Sequence, residues 1–352
     1  MKEKNSFSAF QAKKYFLAFW SIVLAIITLT IALISTSTLA ATKNGQEESA
    51  SYQGVKATYY EYGDTKNPPV VITGGWPWTS SNLVNQAKDL AGRGLHVIRY
   101  DPRGSGDSDK PQANKDDSNY GLPALAGEFG AVIDKAAPKQ KVSLVGEAWG
   151  PFIASEYASE HPGRISSLTS IGTPSFDLAS RDLAKANQGI VTNPASIPAV
   201  ASQDVNLAYI AGISVNHILQ LLGPTGIPTK FMNQLSLALA GDYKDILKNP
   251  DWTNNYPTNK ADFSSGINKY RWIFYHKMVN PSHNRTNLPI PHVHVYQATQ
   301  DSIETPILTQ SLSKETPDLK TDNIDANHLT VFSQDNLNKI DKSAADYAHQ
   351  YK

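Results

Sequence analysis

The run Lys141 to Gly150, K-V-S-L-V-G-E-A-W-G, has the layout of a nucleophile elbow but carries no nucleophile. Such an elbow puts one reactive side chain at the tip of a sharp strand-to-helix turn. Small residues stand two positions to either side, because the two backbones nearly touch. Val142, Leu144 and Val145 are apolar and β-prone, as in a buried parallel strand; Gly146 and Gly150 bracket the turn, and Phe152 to Ser159 reads as helix. The reactive position falls on Ala148, whose methyl group cannot attack anything. Its neighbour Glu147 is a carboxylate, but the residue before an elbow tip is expected to point away, into the core or the sheet edge. Two of the nine histidines, His292 and His294, alternate on a strand-like run and face the same way. Without a third ligand nearby they read as strand-end histidines, so neither a metal site nor a cofactor is expected.

The elements around the elbow must position it. The strand Pro69 to Thr73 runs into Gly74-Gly75-Trp76-Pro77 and then a helix-like stretch near Asn82 to Arg93. The strand Leu95 to Tyr100 leads into Asp101-Pro102-Arg103-Gly104-Ser105-Gly106-Asp107-Ser108. Past the elbow, the apolar run Ile165 to Ile171 ends in Gly172-Thr173-Pro174. Strands alternating with helices imply a mostly parallel central sheet covered by helices on both faces. Between Phe176 and Leu288 this rhythm disappears. Asn206 to Leu222, Lys230 to Ala240 and Phe263 to Val279 have helical apolar spacing, with Gly- and Pro-rich turns between them.

Together these motifs resemble the α/β-hydrolase superfamily, in its epoxide hydrolase and haloalkane dehalogenase branch. The carriers are G-G-W-P at 74–77, D-P-R-G-S-G-D-S at 101–108, G-E-A-W-G at 146–150, Q-A-T-Q-D-S-I-E-T-P at 297–306 and D-A-N-H at 325–328. The resemblance spans roughly residues 52 to 350. It implies an α/β-hydrolase core at 52–175 and 289–352, with residues 176–288 inserted as a helical cap that closes over a small apolar molecule.

The resemblance also assigns roles. Asp301, after the seventh strand, takes the place of the acid, and His328, before a C-terminal helix, that of the base. The acid holds the imidazole in its working tautomer and stabilises its charged form. Ala148 stands where the family has Asp or Ser, Glu147 where it has His, and Gly74 where it has the His before the oxyanion turn. The backbone N–H groups of Trp76 and Trp149 are assigned to the oxyanion hole, while their rings suit core packing or a pocket wall. Tyr270, beside Arg271, matches the cap tyrosine that polarises an epoxide, and Tyr209 is the candidate for its partner.

Composition narrows the partners. The 32 basic and 32 acidic residues balance and form no basic block, which argues against nucleic acid. Cysteine is absent, which excludes disulfides and thiolate metal sites. Residues 1–41 read as a signal peptide or signal anchor. Lys2, Lys4, Lys13 and Lys14 precede an uncharged run from Tyr15 to about Ile34, and Thr38-Leu39-Ala40 offers a cleavage site. Residues 42–51 then form a polar linker. The folded part is expected outside the cytoplasm (extracellular, periplasmic or at the cell surface), anchored to the membrane by residues 15–34 if these stay uncleaved.

Four functional readings follow. The chain is a pseudohydrolase that binds a small apolar ligand, an enzyme using the Asp301–His328 pair as a general base without a covalent intermediate, an ordinary hydrolase altered at position 148, or a structural or partner-binding surface protein that uses the fold as a scaffold. Fold alone does not choose among them.

Overall fold

The computed structural model describes residues 45–76, 78–190, 192–204, 207–208, 210, 265–278, 285, 287–328 and 330–352. Residues 1–41, expected to be a targeting segment, Tyr209, most of the helix expected from Asn206 and all of that from Lys230 to Ala240 lie outside the described residues. Among those described, no helix is long and apolar enough to cross a membrane.

Eight strands form one sheet: β1 (Gln46–Tyr52), β2 (Val55–Tyr62), β3 (Pro69–Thr73), β4 (His96–Tyr100), β5 (Val142–Glu147), β6 (Ile165–Ile171), β7 (His292–Ala298) and β8 (Asp318–Ile324). Their order is β1-β2-β4-β3-β5-β6-β7-β8. β2 pairs antiparallel with β4, and every pairing from β4 through to β8 is parallel. The central strands β3 to β6 are buried throughout, which explains their near-continuous apolar character.

Successive side chains on these strands enter opposite layers, as the two-residue period of a strand requires. Val71, Ile98 and Leu144 join a core with the helices α2 (Leu122–Ala136) and α3 (Trp149–Glu160). Val70, Ile72, Val97 and Val145 join a second core with α1 (Val84–Gly92) and the C-terminal helix. After β6 come α4 (Phe176–Gly189) and, further along, α5 (Asn268–Ile273), which continues into a π-helical turn at Phe274–Met278. α6 (Leu312–Glu315) and α7 (Gln334–Gln350) follow toward the C-terminus.

One expectation needs correction. Gln46 to Ser51, read as linker, belongs to β1. Only Ala50 of that strand is buried, so an edge strand with both faces near water shows no apolar alternation to reveal it.

The loop Asp101 to Ser108 holds the architecture together. The Asp101 carboxylate accepts the Ser80 N–H at 2.7 Å and the Ser80 hydroxyl at 2.8 Å, and the Thr58 N–H donates to Ser108 Oγ at 2.7 Å. Gly106 has φ 52°, and a Cβ there would lie 2.3 Å from the Asp101 carboxylate, so both backbone and space require glycine. Arg103 meets the fully buried Glu128 through its Nε and its backbone N–H, each at 2.8 Å, and the Tyr100 hydroxyl adds a third donor at 2.6 Å. Such a satisfied buried pair fixes geometry more than it adds net stability.

Candidate active site

The parallel strands deliver the candidate residues to one edge of the sheet, at their C-terminal ends, where open α/β sheets bind ligands. β3 leads to Gly75, β5 ends in Glu147, β6 leads to Thr173, β7 leads to Asp301 and Glu304, and β8 leads to His328.

The elbow exists in its strained form. Ala148 adopts φ 47° and ψ −100° between β5 and α3, a conformation that costs a non-glycine residue about 1–3 kcal/mol. A Cβ at Gly146 or Gly150 would lie 2.8 Å from the Thr73 carbonyl oxygen, which is the close approach that demands small residues on both sides. Ala148 lines the cavity with its methyl group.

Asp301 and His328 meet as the resemblance implied. His328 Nδ1 lies 2.8 Å from Asp301 Oδ2, and Asp301 Oδ1 accepts the backbone N–H groups of Ile303 and Glu304, each at 2.8 Å. Burial alone would raise the Asp301 pKa. The His328 charge, its hydrogen bond and the two backbone donors outweigh burial and hold the carboxyl below its ordinary range.

Glu147 departs from expectation. Its side chain does not point away; Oε1 lies 3.0 Å from His328 Nε2, and Oε2 accepts the Gly75 N–H at 3.0 Å. The physical reason is local. Ala148 contributes no polar group at the tip, and a Cβ on Gly75 would sit 2.3 Å from Glu147 Oε2, so the bare glycine leaves the space that the carboxylate fills. His328 is thus bracketed by carboxylates on both ring nitrogens. Burial pushes its pKa down, but the charges of Asp301 and Glu147 and their hydrogen bonds overcome this and raise it well above the ordinary imidazole value.

Glu304 was not singled out from sequence, although it lies only three residues past Asp301. Its Oε2 accepts the Thr173 N–H at 2.5 Å. Burial, opposed by His328 but reinforced by Glu147 and Asp301, pushes its pKa up to about 8, so it carries a proton at neutral pH. Ligand atoms of Glu147, Glu304 and His328 all lie within 4.8 Å of one another.

Glu304 and His328 border a cavity of about 220 Å³ whose lining is mostly apolar. Ala148, Trp149, Glu304 and His328 form one wall, and Tyr270, Ile273 and Met278 of the helical insertion form another. Tyr270 packs edge-to-face on Trp149 and on Trp76, with centroids 5.1 and 5.5 Å away. Trp149 therefore serves as both core and wall. Trp76 is buried behind Tyr270, and the backbone N–H that reaches Glu147 comes from Gly75, one residue earlier. Arg271 turns to the opposite side, gripping Asp117 at 2.6 and 3.0 Å. His292 and His294 bond separately to Asp318 and Asp322.

Comparison with known proteins agrees with this fold. Residues 68–335 match the family model described as the alpha/beta hydrolase fold. A Mycobacterium tuberculosis protein named probable oxidoreductase EphD is 32% identical over 178 residues, covering 49% of this chain and 28% of that protein. Epoxide hydrolase B of the same organism is 32% identical over 111 residues, covering 32% of this chain and 30% of its own. The chain thus spans less than a third of the length of either curated relative. A solved epoxide hydrolase from Bacillus megaterium superposes with a TM-score of 0.64 at 16% identity, over 86% of this chain and all of the other.

Proposed function

The chain belongs to the α/β-hydrolase family, and from that premise we propose a non-covalent member of it: an exported protein whose cavity binds a small apolar molecule bearing an oxygen acceptor. The contact that carries this reading is the 3.0 Å approach of His328 Nε2 to Glu147 Oε1. A hydrolytic base must accept a proton at that nitrogen. An imidazole that donates to a carboxylate from each ring nitrogen is a cation and has no lone pair left to accept with. The same contact counts against the Asp301–His328 pair as a lone general base.

Ala148 supports the reading independently. Losing the nucleophile in a well-studied serine hydrolase lowers turnover by a factor of ~2 × 10⁶, or ~8–9 kcal/mol of barrier. The cavity offers a hydrogen-bond donor instead of a nucleophile. Glu304, its carboxyl pushed up to about 8 by burial, faces a mostly apolar lining, which suits one oxygen on an apolar body. An open cavity of this kind favours ligand binding over a scaffold role. The Lys-flanked apolar run of the first 41 residues supports export.

Titration with styrene oxide, followed by tryptophan fluorescence because Trp149 lines the cavity, tests the reading together with an assay for the diol product. Saturable binding is expected, with diol formation no faster than in His328→Ala. Turnover that His328→Ala abolishes would overturn the proposal. N-terminal sequencing of the protein recovered from culture fluid and envelope tests export, which retention in the cytoplasm would refute.

A further inference from the structure

We infer that Glu147, Glu304 and His328 form a binding site for a divalent first-row metal ion such as Zn²⁺, in the place where the family's nucleophile would work. The sequence alone suggested no metal, because these three residues come from three separate strand ends.

The geometry has the parts that a metal site requires. The three ligand atoms lie within 4.8 Å of one another. A tetrahedral ion with bonds of ~2.0–2.1 Å sets its ligands ~3.3 Å apart. His328 Nε2 and Glu147 Oε1, at 3.0 Å, need to open slightly for an ion, and the Glu304 oxygen, within 4.8 Å of both, needs to move inward.

Each ligand is also held from behind by a different group. His328 Nδ1 is anchored on Asp301 Oδ2 at 2.8 Å, the carboxylate–histidine arrangement that orients metal-bound imidazoles. Glu147 is fixed through Oε2 by the Gly75 N–H, leaving Oε1 toward His328. Glu304 is fixed through Oε2 by the Thr173 N–H. One backbone donor per carboxylate leaves the second oxygen for the ion.

Chemistry and access agree with geometry. One imidazole nitrogen and two carboxylate oxygens suit Zn²⁺, Mn²⁺ or Fe²⁺ better than Ca²⁺ or Mg²⁺, which favour all-oxygen shells. Glu304 and His328 border the cavity, which gives the ion a path in and directs its remaining coordination positions at the ligand space. Two protons leave to solvent as the ion enters, the one between Nε2 and Oε1 and the one on Glu304. The ion replaces the protons on which the ligand-binding reading rests, so that reading is tested in chelator-containing buffer and this inference is read out by metal alone.

The test is calorimetric titration of the chelator-stripped protein with Zn²⁺, and with Co²⁺ followed by visible absorption. One tight site per chain is expected, with Co²⁺ bands of low coordination number. Glu304→Gln should weaken it by at least 100-fold and Asp301→Asn by 10–100-fold, while His292→Ala, at a surface histidine, should leave it unchanged. No binding at millimolar Zn²⁺, or binding that survives Glu304→Gln or is lost in His292→Ala, overturns the inference. Should the variants fail to fold, zinc X-ray absorption on the wild-type protein decides, by showing or lacking one imidazole among oxygen donors.

Discussion

His328 Nε2 and Glu147 Oε1 stand 3.0 Å apart, in a contact made by the one elbow residue that would be expected to turn away from the site. The imidazole is therefore engaged on both sides, with Asp301 at 2.8 Å on the other nitrogen. The chain keeps the positioning apparatus of a hydrolase while its working nitrogen is taken up by an internal carboxylate.

That arrangement sets the protonation of His328. The wild-type imidazole should remain doubly protonated well above the ordinary value, as observed by ¹⁵N chemical shifts during a pH titration. Glu147→Gln removes one of the two carboxylates and should lower the midpoint. A midpoint that does not move would mean that Glu147 exerts no control over the base.

Restoring a nucleophile alone should not restore hydrolysis. Ala148→Asp is expected to raise epoxide turnover by less than about tenfold, since the base remains occupied. Ala148→Asp combined with Glu147→Gln should gain about 10²–10⁴ over the single variant, the usual contribution of a working general base. Efficient turnover by Ala148→Asp alone would instead mark an ordinary hydrolase disabled at one position.

Stability should fall as pH rises from about 4.5 to 8 in chelator-containing buffer. Glu304 is raised from its ordinary 4.5 to about 8 by burial, and Asp341 from 3.8 to about 7 for the same reason. The folded state holds protons that the unfolded chain releases, so these contributions are complete below the unfolded values and lost by the folded ones. His328 works in the same sense, its contribution being lost only as pH climbs through its raised value. Asp301 works in the opposite sense: its contribution is present above 3.8 and lost as pH falls. Urea midpoints at pH 5, 6, 7 and 8 measure the slope, which Glu304→Gln should flatten. An unchanged slope in that variant would contradict the assignment.

The Arg103–Glu128 pair should matter for stability rather than for chemistry. Both side chains are buried, so Glu128→Ala leaves an uncompensated guanidinium and is expected to cost about 3–5 kcal/mol in urea unfolding. A loss below about 1 kcal/mol would show that water reaches Arg103. Ligand binding at temperatures where the variant stays folded should be unaffected, because neither residue borders the cavity.

Much of this was legible in the residues. Gly146 and Gly150 announced a close backbone approach, and both face the Thr73 carbonyl. The runs at 142–147 and 165–171 announced buried parallel strands, and both are central. Asp301 and His328 were identifiable because strand ends and loop order place them. β1 was hidden, since an edge strand needs no apolar face. Glu304 was hidden too, because an acidic side chain three residues after another reads as loop until Thr173 is brought against it.

The sequence by itself determined the sheet, the elbow and the missing nucleophile, because strand periodicity, glycine at crowded backbone and the identity of residue 148 are local facts. Only the tertiary structure decided where Glu147 points and what Glu304 meets. Those outcomes depend on three strand ends, one of them more than 150 residues from the other two in the chain, converging on one buried imidazole. There, low dielectric and a shortage of water force every carboxylate to find a partner within the protein.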